Sequence, residues 1–290
     1  GPVGLGGSLD RARTHLRSQI EASGLVRYHG RPDGAAMTTH GLCPITPDAD
    51  DTALVWRLAP GADALRPAAL TALMQYRTAE GLYNTWLGQR NEYRCIDPGS
   101  DPNPTDVAIQ MHVLMWLAQA DPPAAQMLCG ALRQAIDQDR VWVYYRRAPL
   151  VPVLRQADMK AVGCDVQLPP SRSQTALPGQ EIWLHASDML QQLQGGKGRV
   201  PEPTQIIHLL QELSKNDFFA VKLNPPLLYH NDLTASVRRF YWSEDVGYAL
   251  WLRLYLESAR LGLLADNGNG LDNNTGSSAA DGRRTAPKTP

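Results

Sequence analysis

The amino-acid sequence predicts an all-α protein, an α/α toroid in which a ring of buried inner helices sits inside an outer ring, as a single domain over residues 9–264. Three observations predict it. Apolar residues recur at helical spacing nearly throughout, and alternating strand patterns are almost missing. Helices apolar on every side alternate with helices polar on one side, as a ring buried on both faces and a ring facing water require. Finally, Pro47-Asp48-Ala49-Asp50-Asp51 is echoed by Pro104-Thr105-Asp106-Val107-Ala108, each a proline and an acid ahead of a buried helix. The same helix pairs would also build an ordinary orthogonal bundle.

Residues 1–8, Gly-Pro-Val-Gly-Leu-Gly-Gly-Ser, read as a floppy arm or cloning remnant, and no signal peptide is legible. An amphipathic helix is expected over 9–23, with Leu16, Ile20 and Leu25 as its apolar stripe. At Pro47 to Trp56, three aspartates in four positions run directly into Ala-Leu-Val-Trp. That is a helix N-terminus, capped by Asp48 or Thr46, whose acids suit the helix dipole and whose body enters a core. Further helices are expected at 65–76, 105–119, 123–137, about 150–162, 181–193, 203–214 and 244–262. The segment 105–119 is apolar on nearly every side, yet too short and too interrupted by Gln110 and His112 to span a membrane. Another buried helix is expected after Tyr241-Trp242-Ser243-Glu244-Asp245, and the polar residues 265–290 read as a disordered tail.

Basic and acidic residues balance at 28 against 29, so the chain carries no field for a polyanion and nucleic acid is not an expected partner. Cys43, Cys95, Cys129 and Cys164 form no C-x-x-C pair and read as reduced structural thiols in a cytoplasmic or membrane-peripheral protein without a transmembrane segment. His40 with Cys43 is too small a set to complete a metal shell, and no metal site is assigned. No G-x-S-x-G, H-E-x-x-H or dinucleotide fingerprint occurs, and Gly195-Gly196-Lys197-Gly198-Arg199 lacks the spacing and hydroxyl of a phosphate-binding loop.

Clustered carboxylates in a dry site push at least one of their number toward the protonated form, which makes an acid. Trp and Tyr outnumber Phe by 17 to 3, a balance that favours cavity linings and polar-tipped surfaces.

The block Asp48-Ala49-Asp50-Asp51-Thr52-Ala53, with its preceding proline and following Leu-Val, resembles the D-x-D-D motif of class II terpene cyclases, the squalene-hopene cyclase-like group. That family has the α/α toroid fold, and the resemblance implies that Asp50 protonates an isoprenoid alkene or epoxide to start carbocation cyclisation. Asp48 and Asp51 would orient Asp50 and return its proton, and His112 is the histidine candidate for an orienting partner. Aromatic faces stabilise carbocations, and Trp56, Tyr144 and Tyr241 are the candidates for meeting the substrate. Arg146 and Arg147 would hold a diphosphate if there is one, and no cofactor is required unless Mg²⁺ accompanies that diphosphate. Glu80-Gly81-Leu82-Tyr83-Asn84-Thr85-Trp86 is at best a distant relative of the family's Q-x-x-x-G-x-W repeats. The chain would supply only the acid-bearing domain, either with an open cavity or with a second helical domain or subunit covering it. The alternative is a non-catalytic toroid that binds a protein partner or an apolar ligand.

Overall fold

A computed structural model describes residues 6–27, 46–94, 97, 99, 102–169, 176–195 and 200–264. The expectations for His40, Cys43, Cys95, most of the glycine-rich loop and the tail fall outside these residues. Among the described residues the chain is mainly helical: α1 (Gly6–Ser18), α2 (Ala49–Leu58), α3 (Arg66–Met74), α4 (Arg90–Tyr93), α5 (Val107–Ala120), α6 (Pro122–Asp137), α7 (Leu150–Ala161), α8 (Glu181–Leu193), α9 (Pro203–Leu223) and α10 (Glu244–Arg260). An antiparallel hairpin of β1 (Leu227–His230) and β2 (Phe240–Trp242) precedes α10. The all-α expectation is therefore corrected to a mainly α fold with one small sheet.

The helix starts follow the chain's capping chemistry. Asp48 accepts the Asp51 N–H at 2.8 Å to cap α2, and Asp106 accepts the Ala108 N–H at 3.2 Å to cap α5. Both halves of the sequence echo thus share one mechanism, a carboxylate satisfying orphan amides at a buried helix end. Thr46 is no cap; its hydroxyl donates to the Leu87 carbonyl instead. Helix α1 begins at Gly6, inside the stretch taken as an arm. Helix α9 is broken at Asn216, Asp217 and Phe218, whose left-handed backbone ends the regular turn sequence.

Helix α5 is the hub. Every residue from Val107 to Leu117 is buried, and the helix packs against α2, α6 and α7. Gln110 is admitted to this apolar helix because its amide pairs with both backbone groups of Tyr83, at 2.8 Å each, leaving no polar atom unpaired. Trp56 of α2 stacks on Trp116 of α5 at 6.0 Å and donates its indole N–H to the Gly24 carbonyl. Gly24 sits at φ +80 against Ala69, a turn with no room for a side chain.

A second apolar cluster joins α8, α9 and α10 around the fully buried Trp183. Helix α10 buries only the Gly247, Leu250, Leu254 and Ser258 face and exposes Leu252 and Leu256, so it is not the all-round buried helix its sequence suggests.

Cys129 and Cys164 form a disulfide tying α6 to the loop after α7. This overturns the reduced-thiol reading of those two residues and removes the ground on which the cytoplasm was expected. No described helix is long and apolar enough to cross a membrane.

Candidate active site

The site begins at the N-terminus of α2. The Asp48 N–H donates to Val26 O at 3.1 Å and the Ala49 N–H to Thr85 O at 2.8 Å, pinning the start of the helix between two loops. From there the helical repeat turns Asp50, Asp51 and Leu54 to one side and Ala49, Ala53 and Trp56 into the core. Beside the first group lies a cavity of about 320 Å³. Asp48, Asp50 and Asp51 form one wall, and Ile109 and His112 of α5 form the next. Tyr144, Tyr145, Trp86, Tyr229 and Tyr241 supply aromatic surface, and Thr85, Asp97, His230 and Asn231 add polar lining.

The three carboxylates lie close enough that one oxygen of each falls within 4.8 Å of the others. Burial, then the charges of Asp51 and Asp50, push Asp48 well above the ordinary carboxylate range. Its Oδ2 is buried with no hydrogen-bond partner among the described residues. Burial and the neighbouring Asp50 raise Asp51 to about 7. Burial also pushes Asp50 up, but the His112 ring, the Asp48 hydroxyl and the Asp51 amide outweigh it and hold Asp50 below the usual range. The resting proton therefore belongs to Asp48 and Asp51, with Asp50 as the anion between them; the three titrate as one unit.

His112 sits 3.7 Å from Asp50 Oδ2 through Nδ1, slightly beyond hydrogen-bond reach. Its Nε2 accepts from Arg155 Nε at 3.3 Å, so that nitrogen is unprotonated and Nδ1 carries the hydrogen facing Asp50. Burial, with help from Arg155 and Arg57, lowers the His112 pKa despite Asp50, and the ring is a neutral donor. His230 is likewise held neutral by burial; its Nε2 accepts the Arg147 N–H at 3.1 Å.

Tyr229 and Tyr241 stack across the hairpin at 4.3 Å, and Tyr145 tilts against Tyr229 at 6.5 Å. Burial and the acids Asp50 and Asp106 keep the Tyr145 hydroxyl protonated far above its ordinary pKa. Tyr144 behaves in the same way through burial and Asp97. Among the described residues, no Lys or Arg lines the cavity.

The structure brings together Asp48, Asp50, Asp51, His112, Tyr144 and Tyr241. Trp56 is corrected: it lies on the core side of α2, six positions from Asp50, where Leu54 is the cavity residue instead. Arg146 and Arg147 are corrected as well, because their side chains are exposed and absent from the cavity wall; Arg146 reaches Asp139 at 3.9 Å. Sequence reasoning gave Trp86, Tyr145 and Tyr229 no role beyond the general aromatic count and missed Asp97 altogether. No family model, curated protein or solved structure matches this chain.

Chemically, the wall of acids can deliver a proton or coordinate a divalent cation, and the aromatic wall can face a positive charge.

Proposed function

We propose that the protein is a class II-type cyclase that protonates an isoprenoid alkene through Asp50. The observation that carries this reading is the carboxylate cluster at a helix N-terminus opening onto an aromatic cavity, with two of its members held in the acid form near neutral pH. When substrate fills the cavity and excludes water, the cost of charge on Asp50 rises, and the proton of Asp48 passes to it. Asp50 then adds that proton to the terminal double bond. Tyr145, Tyr229 and Tyr241 present faces to the resulting cation without offering it a nucleophilic anion. The neutral His112 ring, with Nδ1 at 3.7 Å, steadies Asp50 by its dipole rather than by a formed hydrogen bond.

Among the described residues the wall holds four carboxylates and no Lys or Arg, which favours a neutral hydrocarbon chain or epoxide over a diphosphate. A volume of about 320 Å³ lies at the small end of ligand sites and favours a short isoprenoid over a thirty-carbon one. The same reading takes α5 as an inner helix of an α/α toroid, with a second helical domain or subunit over the open side. The disulfide favours an oxidising compartment.

The clustering of three ligand oxygens within 4.8 Å supports a second reading, a divalent-cation site in which Mg²⁺ on Asp48, Asp50 and Asp51 anchors a diphosphate. Incubation with squalene, farnesol and farnesyl diphosphate, each with Mg²⁺ or with EDTA, separates the two. A cyclised product that forms in EDTA supports protonation. A product strictly dependent on Mg²⁺ and the diphosphate supports the metal reading. Binding without any product points to a non-catalytic module.

A further inference from the structure

We propose that the Tyr145 hydroxyl binds an uncharged oxygen of the substrate, which makes that substrate an oxygenated isoprenoid, an alcohol or ether, rather than a plain hydrocarbon; this rests on the protonation reading above. Tyr145 lines the same cavity as Asp50 and Asp51 and is 6% exposed. Its hydroxyl has no hydrogen-bond partner among the described residues. Unlike Asp97 Oδ1 it is not sealed from water, and in a side chain this buried the opening is into the cavity. A buried hydroxyl normally finds a partner, because one without any loses its hydration for nothing in return. Phenylalanine would line the wall without that cost.

Outside the acid cluster, the other buried donors of the lining are committed within the protein. Tyr144 donates to Asp97 Oδ2 at 2.6 Å, and the Trp86 indole N–H donates to the same oxygen at 3.1 Å. Thr85 donates to the Pro104 carbonyl at 2.8 Å, and His230 Nδ1 lies 2.8 Å from the Asn231 carbonyl. His112 Nδ1 faces Asp50. Tyr229 and Tyr241 are half-buried and within reach of water. The Tyr145 hydroxyl is the donor left for a ligand.

Its surroundings select the kind of oxygen. Burial and the charges of Asp50 and Asp106 keep the phenol protonated, so it donates. Four carboxylates on the wall, with no Lys or Arg beside them among the described residues, repel a carboxylate or phosphate. An alcohol or ether oxygen accepts a hydrogen bond without bringing that charge. No bond is made or broken at this oxygen; it anchors the chain while an alkene of the same chain meets Asp50. The hydroxyl stands at the ring edge, so the ring face remains available to the cation.

The test uses the full chain and two matched probes, geranyl methyl ether and its analogue with a methylene in place of the ether oxygen. Tyr145→Phe keeps the ring and removes only the hydroxyl. The ether is expected to bind Tyr145→Phe about three- to tenfold more weakly than wild type, the range for one hydrogen bond between uncharged groups, by titration of tryptophan fluorescence. The methylene analogue is expected to bind both proteins alike. Comparing proteins for each probe cancels the difference in the probes' own hydration. The melting temperature of Tyr145→Phe is expected to match wild type, because no protein partner is lost. A lower melting temperature would assign the hydroxyl to the fold and overturn the inference. Equal ether binding by the two proteins, or an equal loss for both probes, overturns it as well. Asp50→Asn is expected to keep the ether preference and lose turnover. Unchanged turnover by Asp50→Asn instead overturns the protonation reading, and the ether comparison still decides on Tyr145.

Discussion

Arg155 Nε donates to His112 Nε2 at 3.3 Å, and that contact determines which imidazole nitrogen faces Asp50. A guanidinium cannot accept a hydrogen bond or give up its proton. Nε2 must therefore be bare, and Nδ1 carries the hydrogen toward the carboxylate. Arg155 itself is held by Asp158, with Nη1 to Oδ2 at 2.8 Å, so a surface pair on α7 sets the state of a buried ring on α5.

Arg155→Met is expected to release this tautomer and let the His112 pKa rise toward its ordinary value, since Arg155 is one of the charges holding it down. Nitrogen NMR of the imidazole reads both changes directly. Turnover is expected to fall about tenfold, below the hundredfold typical of losing a general acid itself, because His112 orients rather than donates. An unchanged tautomer in the variant would contradict the role given to Arg155.

Stability is expected to fall as pH rises from about 6.5 to 8. Asp51 and Asp106 both stand at about 7 in the folded protein, Asp106 because burial outweighs three backbone N–H donors. A carboxyl whose pKa is raised on folding binds protons more tightly in the native state, so its contribution is greatest at low pH and is lost as pH climbs through the folded value. For fully buried Asp106 a shift of about three units corresponds to about 4 kcal/mol over the whole span from pH 4 to 7, of which less than about 1 kcal/mol remains to be lost between pH 6.5 and 8; Asp51, which borders the cavity, contributes less. His112 and His230, both lowered, act oppositely only below about pH 6.5, where the unfolded imidazoles take up protons. Urea midpoints at pH 6.5 and 8 check the sign; a midpoint that rises over this window contradicts the buried acids.

Reducing the Cys129–Cys164 bond is expected to cost about 4 kcal/mol, between the about 3 of a 15-residue loop and the about 4.7 of a 100-residue one. Their separation is 35 residues. The comparison is a melting curve with and without reductant, with Cys129→Ala as the control that should lose its sensitivity to reductant at this bond. An identical wild-type melt under both conditions would contradict the bridge.

What the sequence showed and what it hid divide along physical lines. Asp48, Asp106 and the burial of Val107 to Leu117 were legible because capping and all-round apolarity are local properties of a helix. The side of α2 occupied by Trp56 was not. Its apolar surface suits both a core and a cavity, and only packing on Trp116 chooses between them. The hairpin was hidden because β1 is four residues long and its pairing depends on distant groups, such as the His230 N–H reaching the Tyr144 carbonyl at 3.0 Å. Asp97 carries no pattern at all. It gains meaning only when the chain brings Trp86 and Tyr144 to it. The same holds for Cys129 and Cys164, whose pairing is a tertiary fact.

The central claim is that Asp50 delivers the initiating proton. The most direct test is turnover in D₂O by wild type and Asp50→Asn, read by mass spectrometry of the product. Asparagine keeps the shape and the acceptor facing His112 but has no proton to transfer. The account predicts a cyclised wild-type product carrying a deuteron at the initiating carbon, and a rate lower by at least about 100-fold in the variant. A variant that forms the same labelled product at the wild-type rate would contradict it.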